Sequence, residues 1–205
     1  MTDRDIILVG AGGHAAGVAE AATLAGWRIV AYVDQHRADW LDRRDSPQWF
    51  QTDADAIAAF KAGNAPGVIG VVIGVGGIDP AGLALRTDLL EQYRTAGFAC
   101  PAILHPAAVV SDTASIAPGC IVLAGAIIQP FSQLAEGALI NTRAVVEHHA
   151  LVEAGGHVAP GATLLGAARL GRHALLGAHA VILPSAEVPA DTVVPAGSVF
   201  KGVRG

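Results

Sequence analysis

The stretch from Leu104 to Leu151, written in sixes, reads LHPAAV, VSDTAS, IAPGCI, VLAGAI, IQPFSQ, LAEGAL, INTRAV and VEHHAL. The first residue of every six is bulky and apolar, the fifth is small, and the pattern continues to Phe200. This period fits neither a helix face nor the simple alternation of a strand. It is the signature of a hexapeptide β-helix, in which each six residues form one short strand and one corner of a triangular prism.

Three such sixes make one coil of the prism, so residues eighteen apart stack on each other. Proline and glycine recur in adjacent columns, as in Pro118-Gly119 and Pro160-Gly161, which is turn chemistry for the corners. In known structures this sequence pattern winds left-handed, against the right-handed crossover rule. We therefore expect an all-β, left-handed parallel β-helix over residues 100–205.

A membrane span is the alternative for so apolar a chain. Residues 113–135 carry no Asp, Glu, Lys or Arg. However, they contain Pro118 and Pro130 and keep the six-residue phase, so they are not the continuous apolar run of about 20 residues that a spanning helix needs. We expect no membrane partner.

The first hundred residues have a different rhythm. The sequence predicts a first strand at about 6–9, which leads into Gly10-Ala11-Gly12-Gly13-His14 and a helix. A second strand, at about 29–33, ends at Asp34. A third strand, at about 68–73, is followed by Gly74-Val75-Gly76-Gly77 and another helix. This order predicts an α/β domain over residues 1–99, with a small Rossmann-like parallel sheet between helices. Ligands of such sheets bind at the carboxyl ends of the strands, where all three features lie.

The glycine-rich turn from Gly10 to His14 predicts a phosphate site, because backbone N–H groups can approach a ligand at the start of a helix. An acidic residue after the second strand, here Asp34, can bind a ribose or a base. The full dinucleotide fingerprint is not met, since Ala15 stands where the third glycine would fall. The alternatives are a tight structural turn and, for His14, a helix cap or a solvent-facing side chain.

Composition bounds the partners and the compartment. The net charge of −5 gives no reason to expect nucleic acid. Residues 1–5 do not begin a secretion signal, so a cytoplasmic protein is expected. Cys100 and Cys120 do not suggest a disulfide framework. The segment DWLDRRD (39–45) is interpreted as a solvated loop, and the three tryptophans as core or loop anchors.

Histidines recur in the β-helix, which needs none of them for packing. His148 falls in a corner column, between Pro130 one coil before it and Gly166 one coil after it. An imidazole beside an open groove suits a general base. Zinc, the rival use for clustered histidines, needs three or four converging ligands, whereas His173 and His179 lie on different faces of the prism. We expect no metal.

The chain resembles the NeuD/PglD-like sugar acetyltransferases over essentially its whole length. The resemblance is carried by VGAGGHA (9–15), YVD (32–34), IGVGG (73–77), LHPAAVVSDTASIAPG (104–119), NTRAVVEHHALV (141–152) and GGHVAPGA (155–162). It implies a homotrimer with its active sites between subunits, acetyl-CoA as the acyl donor and a nucleotide sugar as the substrate.

The resemblance also implies roles for individual residues. His148 matches the catalytic histidine, which takes a proton from the sugar's amine or hydroxyl. The next residue is usually acidic in the family and orients that histidine; here it is His149. Glu147, Glu153 or a carboxylate of another subunit could orient His148 in place of the family's acidic residue, or the orienting group could be missing.

The same resemblance places the ligand contacts. His157 matches a residue that contacts the acyl-CoA, and Gly166 matches a backbone N–H donor to the thioester oxygen, an oxyanion hole. Nucleotide-sugar contacts fall on Gly10, Gly12, Gly13, His14 and Asp34, with Gly74 and Gly76 at the same edge of the sheet.

Three functions follow. The first is acetyl-CoA-dependent N-acetylation of a nucleotide-linked amino sugar, of the UDP- or GDP-4-amino-4,6-dideoxy type, by direct transfer with His148 as general base. The second is O-acetylation, or transfer of a longer acyl chain, in the same fold, because the same base serves either nucleophile. The third is a non-catalytic trimer that binds nucleotide sugars, which only the presence of His149 favours.

Overall fold

The N-terminal part is an α/β unit. The computed structural model describes residues 4–43, 46–63 and 69–202. The elements of this unit, in chain order, are β1 (Asp5–Val9), α1 (Gly13–Leu24), β2 (Arg28–Val33), α2 (Asp39–Asp42), β3 (Gln48–Phe50), α3 (Asp53–Gly63), β4 (Ile69–Ile73) and α4 (Pro80–Thr95).

Its four strands form a parallel sheet in the order β3-β2-β1-β4. Residues of α1 pack on one face of the sheet, and residues of α3 and α4 pack on the other. The predicted three-layer α/β domain is therefore confirmed. Strands β1 and β4 are wholly buried, which explains why their sequences are continuous apolar runs.

Three elements of this unit were not predicted. Strand β3 and helix α3 lie in a segment to which the sequence analysis assigned no structure. Strand β3 was missed because three residues are too few to show a period. The interpretation of 39–45 as a loop was wrong for Asp39–Asp42, which form a short helix with Leu41 buried. Arg44 and Asp45, and the predicted first residue of the third strand, Val68, lie outside the described residues.

The C-terminal part is a three-sided parallel β-helix of two-residue strands. One sheet, here called the covered sheet, contains β5 (Ile103–Leu104), β8 (Ile121–Val122), β11 (Leu139–Ile140), β14 (His157–Val158), β17 (Leu175–Leu176) and β20 (Val193–Val194). The apolar sheet contains β6 (Val109–Val110), β9 (Ile127–Ile128), β12 (Val145–Val146), β15 (Thr163–Leu164), β18 (Val181–Ile182) and β21 (Val199–Phe200). The polar sheet contains β7 (Ser115–Ile116), β10 (Gln133–Leu134), β13 (Leu151–Val152), β16 (Arg169–Leu170) and β19 (Glu187–Val188).

The register repeats every eighteen residues, as Leu134 beside Val152 and Val152 beside Leu170 illustrate. The second residue of each strand points inward, and from Val122 to Val194 every one of these side chains is buried. The small residues of the fifth column fill the same core, so both sequence columns are confirmed.

The three sheets differ in what their outward residues meet. Ile103, Ile121 and Leu139 of the covered sheet are buried in a cluster with α1 of the N-terminal unit. The outward residues of the apolar sheet are Val109, Ile127, Val145, Thr163, Val181 and Val199, and none of them is buried. Those of the polar sheet include Gln133, Arg169 and Glu187, which are exposed.

Helix α4 connects the two parts of the chain. Leu83 packs with Ala159 and Leu175 of the β-helix. One turn further on, Thr87 Oγ1 lies 2.9 Å from His173 Nε2. The N-terminal unit thus rests on the covered sheet and on the corner beside it. None of the helices in the described ranges is long and apolar enough to cross a bilayer.

Candidate active site

The two glycine-rich turns pack against each other at the carboxyl edge of the sheet. Gly10 has φ +90°, and a Cβ there would lie 2.9 Å from Val75 Cγ2. A Cβ on Gly74 would lie 2.9 Å from the Cβ of Ala15. This close approach therefore requires glycine at positions 10 and 74, which agrees with the alternative that the run is a tight structural turn.

Gly12 and Gly13 have a different role from Gly10. Both are exposed, and no atom lies within 4 Å of where a Cβ would stand. Gly12 is the N-cap of α1, and no side chain caps the helix. The first amides of α1 are therefore open to an anion, which the helix dipole favours.

Asp34 shapes the turn beside it. Its Oδ2 accepts the Ala11 N–H at 2.8 Å and its Oδ1 accepts the His36 N–H at 3.0 Å. A groove of about 760 Å³ opens at this edge, lined by Gly10, Asp34, His36 and residues of α4, including Leu85. The structure thus brings Gly10 and Asp34 together, as the sequence predicted.

His14 is half-buried on the inner side of this edge, next to Gly76, where a Cβ would lie 3.2 Å from the His14 Cβ. Burial, and secondly the charge of Arg86, lowers the pKa of His14 to about 4, so its imidazole is neutral at pH 7. Its Nε2 atom is buried and has no hydrogen-bond partner among the described residues.

His157 is buried where the covered sheet meets the N-terminal unit. Its Nδ1 lies 2.9 Å from the carbonyl oxygen of Gly77, and its Nε2 lies 3.3 Å from Asn141 Nδ2. Asn141 Oδ1 accepts the Thr142 N–H at 2.8 Å, which fixes the orientation of the amide. Burial lowers the pKa of His157 to about 4, a nearby Arg86 adding to the effect and the bond to Gly77 opposing it.

His148 lies exposed at a corner of the prism, on top of Gly166. A Cβ on Gly166 would lie 2.7 Å from His148 Cε1 and 2.8 Å from its Nε2, so only glycine leaves room for the ring. The Gly166 N–H donates to no acceptor among the described residues. The structure therefore brings these two predicted residues into contact.

His149, which stands where the family's acidic residue is expected, contacts the His148 ring. The two Nδ1 atoms are 3.2 Å apart, and the other side of His149 packs against Phe131 with 5.1 Å between ring centroids. Glu147 instead accepts the backbone N–H of His148 at 3.4 Å. Glu153 accepts from the Arg169 side chain and from the Arg172 N–H, so its carboxylate is committed elsewhere.

The two groups of candidate residues lie on opposite sides of the prism. His148 and Gly166 are at the edge where the apolar sheet meets the polar sheet. In a three-sided prism that edge is opposite the third face, the covered sheet, which carries His157 and the N-terminal unit. A single chain therefore does not bring the nucleotide-type edge to His148.

Known proteins share this fold over almost the whole chain. A family profile for the PglD N-terminal domain matches residues 5–79. The acetyltransferase domain of PglB from Neisseria gonorrhoeae, solved with acetyl coenzyme A, is 28% identical, with 97% of this chain and 91% of that one covered and a TM-score of 0.85. PerB from Caulobacter crescentus, solved with CoA and GDP-perosamine, is 30% identical over 96% of this chain and 88% of that one, with a TM-score of 0.83.

The chain belongs to this PglD-like family of hexapeptide acyltransferases. The fold class inferred from the sequence, a small α/β domain followed by a left-handed β-helix, is confirmed by this membership. Two further structures of the Caulobacter perosamine N-acetyltransferase, each with one histidine substituted, also contain CoA and GDP-perosamine. A search of curated proteins found no significant match.

Within the family fold, the structure adds residues that sequence reasoning missed. Arg86 is 2% exposed on α4, and Asn141 lies against His157. Leu83, Leu90 and Tyr93 are the other buried residues of α4, and the spacing of the four marks Arg86 as part of the buried helix face. No group of three or more His, Cys, Asp or Glu side chains that could hold a metal occurs within the described ranges.

Proposed function

We propose that the protein is an acetyl-CoA-dependent N-acetyltransferase that acts on a nucleotide-linked amino sugar of the UDP- or GDP-4-amino-4,6-dideoxy type. The observation that carries the proposal is the His148 imidazole lying on Gly166, whose amide is free. A base and an oxyanion donor side by side are what acyl transfer requires. Relatives that contain acetyl-CoA, or CoA with GDP-perosamine, support the choice of donor and acceptor.

His148 would act through its Nε2 atom. When His148 Nδ1–H donates to His149 Nδ1, the lone pair of Nε2 is left free, and this is the tautomer that a general base needs. The sugar amine attacks the thioester carbonyl carbon, forming the C–N bond, and Nε2 takes a proton from that nitrogen. The tetrahedral intermediate collapses with cleavage of the C–S bond, and the proton passes to the departing thiolate to give free CoA.

Gly166 would stabilise the charge that develops in this step. The His148 ring lies over the Cβ position of Gly166, and the Gly166 N–H has no acceptor of its own among the described residues. An amide held in this way needs no rearrangement to bond the thioester oxygen as it becomes negative. Glu147 would support the site indirectly, through the backbone N–H of His148.

The nucleotide end of the substrate would lie at the carboxyl edge of the sheet. The open amides at the start of α1, at Gly12 and Gly13, suit a diphosphate. Gly10 and Asp34 would shape the groove that they line, and Gly74 and Gly76 would support the neighbouring turn. The sugar contact expected of His14 stays a prediction, because its Nε2 is buried. The acyl-CoA contact expected of His157 stays a prediction, because both of its ring nitrogens are bonded within the chain.

A homotrimer would complete the site. The outward residues of the apolar sheet include Val109 and Val199, which are 64% and 53% exposed, and a row of exposed apolar side chains is typical of an interface. His148 lies at one edge of this sheet, so a second copy packed there would bring its own N-terminal unit towards it. Closed rings of three use one such interface repeatedly. We expect this enzyme to work in the cytoplasm, where both substrates are available.

The test is release of CoA thiol from acetyl-CoA in the presence of UDP-, GDP- and CDP-linked 3-amino and 4-amino sugars. Wild type and His148→Ala are compared, and the product is weighed by mass spectrometry. Release with one amino sugar, a mass gain of one acetyl group and loss of release in the variant are expected. Release only with hydroxyl acceptors or longer acyl donors would favour O-acylation or a larger acyl group, and nucleotide binding without release would favour a non-catalytic trimer.

A further inference from the structure

Arg86 is a buried cation for which the described residues supply no counter-ion. Its side chain is 2% exposed, and no carboxylate pairs with it among the described residues. The guanidinium Nη1 donates to the carbonyl oxygen of Ile73 at 3.3 Å and, more closely, to that of Val75. Its Nε has no acceptor in the described part of the chain. Burying a charge in this way is costly, so a residue of this kind needs a reason beyond packing.

The two carbonyl groups belong to the turn that follows β4. This turn continues through Gly76 to Gly77, whose carbonyl oxygen lies 2.9 Å from His157 Nδ1. Arg86 therefore binds the inside of the turn, and the far end of the same turn binds the imidazole of the β-helix. The connection crosses the boundary between the two parts of the chain.

The Gly77 carbonyl decides the tautomer of His157. A carbonyl oxygen can only accept, so Nδ1 must carry the proton. In the neutral ring, Nε2 is then an acceptor, which matches the Asn141 Nδ2 donor at 3.3 Å. If the carbonyl moved, only the longer 3.3 Å contact with Asn141 Nδ2 would still favour a proton on Nδ1, and the ring would be held less firmly in this tautomer.

We infer that Arg86 is a positioning residue: it holds the Ile73–Gly77 turn so that the Gly77 carbonyl keeps His157 in its Nδ1–H tautomer. The structural part of this inference is independent of any activity. Its kinetic consequence rests on the proposed function and on the acyl-CoA contact that the family resemblance implies for His157, which is still a prediction. Loss of Arg86 is then expected to raise the KM for acetyl-CoA more than it lowers kcat.

The test reads the two ring nitrogens of His157 by ¹⁵N NMR on histidine-labelled protein at pH 7, with His157→Gln used to assign the signals. The variants are Arg86→Met, which keeps length but removes charge and donors, and Arg86→Lys, which keeps the charge and can donate to the same carbonyls. Tyr93→Phe is the matched control, since it removes a buried hydrogen bond from α4 to Asp53 and leaves the turn alone.

Wild type and Tyr93→Phe are expected to show one protonated Nδ1 and one unprotonated Nε2. In Arg86→Met we expect the Nδ1 and Nε2 signals of His157 to average or to exchange their protonation states. We also expect at least a tenfold higher KM for acetyl-CoA, with partial recovery of both readouts in Arg86→Lys. If Arg86→Met does not fold, Arg86→Lys carries the comparison, with a smaller change expected. An unchanged His157 spectrum in a folded Arg86 variant overturns the inference, whereas absence of transferase activity in wild type would count only against the proposed function.

Discussion

The imidazoles of His148 and His149 meet nitrogen to nitrogen, with 3.2 Å between their Nδ1 atoms. At that distance one Nδ1 donates and the other accepts, so the accepting ring carries its proton on Nε2. His149 has φ +61° and packs on Phe131, and these constraints hold its ring beside His148. An imidazole thus occupies the place where the family resemblance leads one to expect a carboxylate.

Replacing His148 tests the general base. We expect His148→Ala to lower kcat by roughly 10²–10⁴, the usual contribution of a positioned base. His105→Asn is the matched control, because Asn can still accept the Ala107 N–H that the His105 ring now accepts. Steady-state kinetics decides, and undiminished turnover in His148→Ala would falsify the proposed mechanism.

Replacing His149 tests the orienting contact. His149→Gly suits the positive φ but removes the acceptor, so kcat should fall about tenfold, the scale of one lost hydrogen bond. His149→Asn also tolerates this conformation and keeps an acceptor oxygen, so it should recover part of the loss. Equal kcat values for the two variants would show that the acceptor has no role.

Gly166→Ala tests the contact between the ring and the oxyanion donor. The new Cβ would stand 2.7 Å from His148 Cε1, so the imidazole must turn away while the Gly166 N–H remains. We expect kcat to fall at least tenfold with little change in the melting temperature. Gly17→Ala in α1 is the control, since no atom lies within 4 Å of its Cβ position and alanine favours a helix.

The buried histidines make stability depend on pH. The pKa values of His14 and His157 are lowered to about 4, whereas in the unfolded chain they return to about 6.5. The unfolded state therefore binds more protons between these values, so the free energy of unfolding falls as the pH drops from 6.5 to 4.

For His157 alone this loss is on the order of 3 kcal/mol over the whole window. Urea unfolding at several pH values measures it. His157→Gln should be less stable at pH 7 but should lose less on acidification, and an identical pH slope in the variant would contradict the assignment.

A charge on the outward face of the apolar sheet tests whether this face is the subunit interface. Val181→Glu would place a charge in the proposed interface, so we expect smaller particles in sedimentation and loss of thiol release, because the site needs a second copy. Gln133→Glu, on the exposed polar sheet, is the control and should leave both unchanged. A wild-type protein that sediments as a monomer yet turns over would exclude a shared site.

The β-helix was predictable almost to the residue because each column has one physical task. Val146 and Ala150 are buried in the core, as their bulky and small columns require. The α/β unit was predicted in outline only. Strand β3 is an edge strand of three residues, and so short a run carries no periodic signal.

The candidate site was predictable in its members but not in their contacts. The position of His148 in a corner column predicted its exposure, and the eighteen-residue repeat placed Gly166 next to it. The group that orients His148 was left open among Glu147, Glu153, a carboxylate of another subunit and none. In the structure Glu153 is bound to Arg169, and His149 contacts the His148 ring. Arg86 was missed because a lone arginine in a helix is usually solvated.

By itself, the sequence determined the period, and with it the prism, its core columns and the face on which each residue stands, because backbone geometry repeats with the chain. Only the tertiary structure decided that the N-terminal unit covers the sheet opposite His148, that Gly77 reaches His157 and that His149 meets His148. These contacts join residues that are far apart in the chain or depend on side-chain torsions. No local pattern encodes them, because their energies come from packing between elements.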